Sequence, residues 1–355
     1  MQINQTLQMT NLRTSVSDIL TDVQRAELSG IRNFLLSNPE KPIIATGSGA
    51  AETAADFAAL LCGARGAVAT AVTPYTLNSY SDEALKASKL LLVSAGGHNN
   101  DIVFAARRGL SVNPQNTASF TFSQSDRNEV RKLFRKAGAD KSFDITGIPA
   151  RDGFVSVGTP IAYFAILSRI FNPSCDLEKF SEVPEVSFRI ETNEGTALSA
   201  EDLRGVSNFV ILHGSWGRPV AWNLEGKLVE SGLAGASVYD FRNFCHGRFI
   251  YTSNHLEDSA VILFISPRER DIAGRVRGFL PASTKLVIIE TEEDAPEASL
   301  DLLIRSTEFF FELCEATGTN LESPSNPGKI DKRVPIWIPF TAGMKKSGPL
   351  TLSSI

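Results

Sequence analysis

Three side chains in the stretch 213–247, HGSWGRPVAWNLEGKLVESGLAGASVYDFRNFCHG, have the types and spacing for proton-transfer chemistry. Lys227 and Glu230 stand three apart in a run that reads as a helix, so a cation and a carboxylate share one helical face. His246, one of 4 histidines in the chain, follows in the loop that closes this stretch. A base, an acid and a cation gathered near one turn would move protons on a sugar or keto compound. On spacing alone the alternative is a surface ion pair beside an unrelated loop histidine, because charge pairs are common on helices.

Such groups need a scaffold, and composition bounds it. The chain has 355 residues, 43% hydrophobic and 21% charged, enough for two globular domains. A net charge of −5 argues against sequence-independent nucleic-acid binding. No apolar run is long enough for a membrane span, and the first twenty residues lack the pattern of a signal peptide. Cys62, Cys175, Cys245 and Cys314 are scattered without zinc spacing, so buried reduced thiols and a cytoplasmic location are expected. No metal or cofactor is implied.

The order of elements predicts the architecture. A helical period runs over 15–38 and ends at Pro39 and Pro42. Strands are expected at 42–46, 67–72, 89–94, 117–122 and 143–148, with helices after the first, third and fourth. An apolar helix at 160–171 closes this half. Residues 172–204 are polar, acidic and broken by prolines, and read as a linker. The alternation then restarts: strands at 208–212, 260–265, 285–290 and 300–304, with the final helix at 307–316. The expected fold is two three-layer α/β/α domains with parallel sheets, over 15–172 and 205–317, joined by 173–204. An irregular tail, 318–355, follows. Ligands belong at the carboxyl ends of the strands.

Glycine turns stand at several of those ends. Gly47-Ser48-Gly49 and Ser94-Ala95-Gly96-Gly97 each link a strand to a helix, where free backbone N–H groups and the helix dipole favour an anion. Glycines that only permit a tight turn would look the same. The turn His213-Gly-Ser215-Trp-Gly217 repeats the arrangement in the second half. A dinucleotide site is poorly supported: GSGAAE lacks the third glycine of the fingerprint, and no acidic residue closes the second strand.

Taken together, these features resemble the double sugar-isomerase (SIS) family, over roughly residues 15–330. That family includes the isomerase half of glucosamine-6-phosphate synthase and stand-alone isomerases, deglycases and aminosugar deaminases. Its pattern ALEGALKLKE lies over AWNLEGKLVE and puts the family lysine and glutamate on Lys227 and Glu230. Its histidine loop falls on His246, and its GTDVDQPRNLAK lies without a gap over GTNLESPSNPGK, placing a lysine on Lys329. The family's phosphate loop, SxSGxT, is altered. Ser94 is kept, Gly96 and Asn99 replace two hydroxyls, and the first turn has Ser48-Gly49 where the family has Thr-Ser.

The resemblance implies a mechanism. Glu230 would move a proton between C1 and C2 and His246 would assist ring opening. Lys329 would form a Schiff base with the open sugar, and Lys227 would hold a hydroxyl or temper the glutamate. The substrate-binding set would be Ser48, Gly49, Ser94, Gly96, Gly97, Asn99 and Ser215. The implied partner is a small sugar derivative, with no nucleic acid and no membrane. A homodimer is implied too, because the histidine loop in such proteins completes the neighbouring subunit's site. A chain that kept the fold as a ligand sensor or scaffold is the rival.

Overall fold

The computed structural model describes residues 15–123, 125–148, 155–181 and 187–321. It is an α/β structure with two five-stranded sheets. Its chain divides into two compact units. One holds residues 25–148 and 169–173, the other 15–24, 155–168 and 174–321.

The first sheet comprises β1 (Ile43–Thr46), β2 (Ala69–Val72), β3 (Lys89–Val93), β4 (Thr117–Thr121) and β5 (Ser142–Asp144). They pair in the order β2-β1-β3-β4-β5, every pair parallel. β1, β3 and β4 are buried along their whole length, as expected of strands covered on both faces. Ile44, Leu90 and Leu92 face a core with Ile102 and Leu110 of the Asn100–Val112 helix and Phe134 of the Glu129–Lys136 helix. The chain leaves β1 to one side and β3 to the other. Their carboxyl ends therefore frame a topological switch point, the usual ligand crevice of such sheets.

One buried charge in this unit is structural. Lys89, 2% exposed, donates from Nζ to the carbonyls of Phe34 (3.1 Å), Leu35 (3.0 Å) and Ser37 (2.5 Å). It satisfies the open carbonyls at the end of the Ser29–Leu36 helix, and burial lowers its pKa.

The second sheet comprises β6 (Arg189–Thr192), β7 (Asn208–His213), β8 (Gly235–Asp240), β9 (Ser259–Ile265) and β10 (Lys285–Glu290). Its order is β6-β10-β9-β7-β8. β8-β7-β9-β10 repeats the parallel plan of β2-β1-β3-β4, so the second switch point lies between the ends of β7 and β9. β6 is antiparallel to β10 and comes from the stretch that composition marks as linker.

Two helical expectations change. The 15–38 period is two helices, 15–25 and Ser29–Leu36, and the Glu27 carboxylate accepts the Ser29 N–H at the break (2.7 Å). The run 300–304 is no strand: it lies inside one helix, Glu297–Thr317, buried on nearly every side. A short apolar run looks the same in a buried helix as in a buried strand.

Candidate functional site

The Arg218–Glu230 helix leaves the end of β7 through Gly214–Gly217, with Pro219 in its first turn, where a missing N–H costs nothing. The Glu297–Thr317 helix runs parallel to it. Ser299 Oγ donates to the Trp216 carbonyl (2.6 Å) at one end, and Lys227 Nζ donates to Thr307 Oγ1 (3.3 Å) two turns further on. Lys227 is 3% exposed, and its ammonium also donates to Asn223 Oδ1. Thr307 donates its own proton to the Leu303 carbonyl (2.8 Å), so its oxygen is oriented to accept from the lysine.

Glu230 closes the same helix. Its side chain reaches solvent, yet the surrounding chain desolvates it enough to raise the carboxyl pKa. The charge of Lys227 opposes that rise and the charge of Glu225 adds to it. A carboxyl raised in this way holds its proton closer to neutral pH, which suits a group that must accept and return one.

The histidine is presented separately. Asp240, at the end of β8, accepts the N–H groups of Arg242 (2.9 Å) and Asn243 (2.8 Å) and so fixes the start of the loop. His246 and Gly247 break the helical path (Gly247 φ 94°), and His246 is exposed. Phe249, Ile250 and Tyr251 follow, also exposed. Lys329 lies outside the described residues.

The first switch point is built from donors. Ser48 Oγ is buried with no hydrogen-bond partner among the described residues, and Gly49 (φ 59°) opens the Ala50–Ala64 helix. Ser94 Oγ accepts the Gly97 N–H (3.2 Å), leaving its own proton to give. The N–H groups of Gly96 and His98 have no acceptor among the described residues. Asn99 caps the Asn100–Val112 helix through Oδ1, which accepts the Asp101 N–H (2.8 Å), so only its amide end remains for a ligand. Gly97 (φ 64°) permits this turn, and a Cβ there would fall 2.0 Å from Asn128 Oδ1. Asn128 in turn donates to Thr121 Oγ1 (3.1 Å), the Ser123 carbonyl (2.8 Å) and Asp144 (3.3 Å).

The second switch point has a similar turn and also holds a carboxylate. Ser215 is exposed on its turn. Glu269, which sequence reasoning missed, is 9% exposed; its Oε2 accepts the N–H (3.1 Å) and the hydroxyl of Ser266. The only signal was Ser266-x-x-Glu269, which reads as an ordinary helix start. His213 points Nδ1 at the Gly214 carbonyl (2.8 Å), and burial lowers its pKa against the pull of that carbonyl and of Asp240.

Solved structures share this architecture. The C-terminal domain of glucosamine-fructose-6-phosphate aminotransferase from Francisella tularensis superposes with a TM-score of 0.61 at 12% identity, over 90% of this chain and 98% of that one. Tagatose-6-phosphate ketose/aldose isomerase from Escherichia coli gives 0.65 at 18% identity, over 88% and 93%. Glucosamine-6-phosphate deaminase from Thermotoga maritima gives 0.61 at 14%, over 89% and 97%. The fold is the double sugar-isomerase (SIS) fold. The sequence itself matches no protein-family model and no curated protein. The first of the two glutamates in the ALEGALKLKE pattern falls on Asn223, the residue that accepts from Lys227. No group of three or more His, Cys, Asp or Glu suited to a metal ion occurs among the described residues, and no described helix is long and apolar enough to cross a membrane.

Proposed function

We propose that this chain acts on a sugar derivative by proton transfer, as an aldose–ketose isomerase or an aminosugar deaminase or deglycase. The observation that carries the reading is the pair on the Arg218–Glu230 helix: a buried Lys227 beside a Glu230 whose carboxyl is desolvated, in the SIS fold. Glu230 is the base that moves a proton between adjacent carbons, once the neighbouring carbonyl is activated. His246 protonates the ring oxygen, and Lys329 supplies an amine for imine formation.

The parallel helices support a role for Lys329. The Glu297–Thr317 helix ends on the same side as Glu230, and Lys329 follows Leu321 by eight residues, a reach of about 27 Å. The exposed Phe249, Ile250 and Tyr251 beside His246 support a homodimer in which this loop meets the partner.

The altered first turn favours a second reading within the same chemistry, a substrate without a phosphate or with its phosphate held on backbone amides. Gly96 carries no hydroxyl and the oxygen of Asn99 is occupied as a helix cap. A sensor that binds sugar without turning it over is the remaining alternative.

The test is deuterium incorporation from D2O at C1 and C2 of hexoses and hexosamines, with and without a 6-phosphate, followed by proton NMR. Exchange with one of them is expected, and Glu230→Gln should lower it by at least a thousandfold while ligand binding persists. Binding with no exchange in the unaltered protein would favour the sensor.

A further inference from the structure

The first switch point holds a side chain that has no part in the proton-transfer reading. His98, exposed just before the Asn100–Val112 helix, folds back onto its own turn. The three atoms nearest to a Cβ built on Gly96 all belong to the His98 ring: Cε1 at 2.4 Å, Nδ1 at 2.5 Å and Nε2 at 3.7 Å. The imidazole therefore fills the place that a side chain on residue 96 would take. The backbone of Gly96 lies outside the left-handed region and would accept a side chain, so the ring is what bars one. The ring nitrogens have no hydrogen-bond partner among the described residues.

The groups around this ring are donors. The N–H groups of Gly96 and His98 have no acceptor among the described residues, and Ser94, 9% exposed, has its hydroxyl proton to give. A deeper hydroxyl points independently to a ligand. Thr46, at the end of β1, is 0% exposed, and its Oγ1 has no hydrogen-bond partner among the described residues. It follows Ile44 by two residues and pairs in register with Leu92 of β3, so it faces the side covered by the Asn100–Val112 helix. Ser94 follows Leu92 by two residues on the neighbouring strand end. A buried hydroxyl with no partner is costly, and a polar group bound in the crevice would meet it.

We propose that His98 is the specificity-determining side chain of this crevice, holding the phosphate of a sugar monoester from the place that a side chain on residue 96 would occupy. Its ring N–H joins the amides of Gly96 and His98 and the hydroxyl of Ser94 around one anion. So many donors suit the three free oxygens of a phosphate monoester better than the two of a carboxylate. The start of the helix favours the negative charge. The proposal rests on the phosphate-bearing form of the second reading above, and it names the side chain that backbone amides alone do not provide.

The experiment titrates inorganic phosphate into the full chain by phosphorus NMR at constant pH, with His98→Ala, Gly96→Ala, the double variant and His98→Gln beside it. The unaltered chain should bind phosphate, and His98→Ala should weaken binding about tenfold. Gly96→Ala should weaken it as much, because its Cβ drives the ring out of place. The double variant should be no weaker than either single one, since both remove the same contact. His98→Gln, which keeps a donor, should keep part of the affinity. Absence of phosphate binding, unchanged affinity in His98→Ala, or losses that add in the double variant would each overturn the proposal. His98 is exposed, so its own variants leave the core intact and test the proposal even where Gly96→Ala is unstable. Exchange in D2O reads the proton-transfer proposal separately: a chain that binds phosphate through His98 and exchanges nothing loses that reading and keeps this one.

Discussion

The two switch-point crevices of this chain are built on one plan and differ in the side chains set at their strand ends. The crevice after β1 and β3 offers donors: the hydroxyls of Ser48 and Ser94 and the N–H groups of Gly96 and His98. The crevice after β7 and β9 adds a carboxylate, Glu269, set against the Gly214–Gly217 turn and bonded to Ser266. In both, a polar side chain lies flat on a glycine, Asn128 on Gly97 and Glu269 on Gly214. Strand order thus decides where a ligand enters, and the groups at the strand ends decide what it meets there.

The largest test of this parallel is Gly97→Ala. Alanine must adopt a φ near 64° and displace Asn128, whose amide ties Thr121, Ser123 and Asp144 together. Unfolding in urea should show a loss of about 3 kcal/mol. Less than about 1 kcal/mol would mean that Asn128 moves aside freely.

Gly214→Ala should cost less, about 2 kcal/mol by the same measurement, because it unseats only the bonds between Glu269 and Ser266. If it destabilises more than Gly97→Ala, the second crevice is the more rigid and the comparison reverses.

The two serines sharpen the contrast. Ser266→Ala removes a partner of Glu269 and should cost about 1 kcal/mol. Ser48→Ala removes a buried hydroxyl that has no partner among the described residues, and stability should hold or rise slightly. Equal losses would show that Ser48 is bonded in the free protein and does not wait for a ligand.

The smallest effect is a pH-dependent one at Glu230. Partial desolvation by the surrounding chain raises its carboxyl pKa although the side chain reaches solvent, so the folded state binds the proton somewhat more tightly than the unfolded state does. The stability tied to this proton is present below the unfolded glutamate pKa and is lost as pH rises through the folded value. Glu230→Gln should therefore melt slightly above the unaltered protein at pH 7 to 8, and the gap should close near pH 4. A gap that is constant with pH would place the carboxylate in open water.

Much of the fold was legible in the sequence because strands and helices are local patterns. The runs KPIIAT, KLLLVS and NFVILH, each entering a glycine turn, mark the three strand ends where β1, β3 and β7 meet their loops. Lys227 and Glu230 share a helical face by spacing alone. The sequence could not tell that 300–304 continues a helix, because burial on all sides erases the period that would separate helix from strand. Nor could it bring β6 out of a polar, proline-broken stretch to the edge of the second sheet, a pairing made with β10 nearly a hundred residues on. The candidate site divides the same way. Residue types and spacing determined which groups could do chemistry. Tertiary packing decided that Lys227 is buried against Thr307, that Ser48 Oγ is buried with no partner among the described residues and that Glu269 lies on Gly214. Those are contacts between distant segments, and the energy of a buried charge or hydroxyl depends on the partners that the folded chain brings to it.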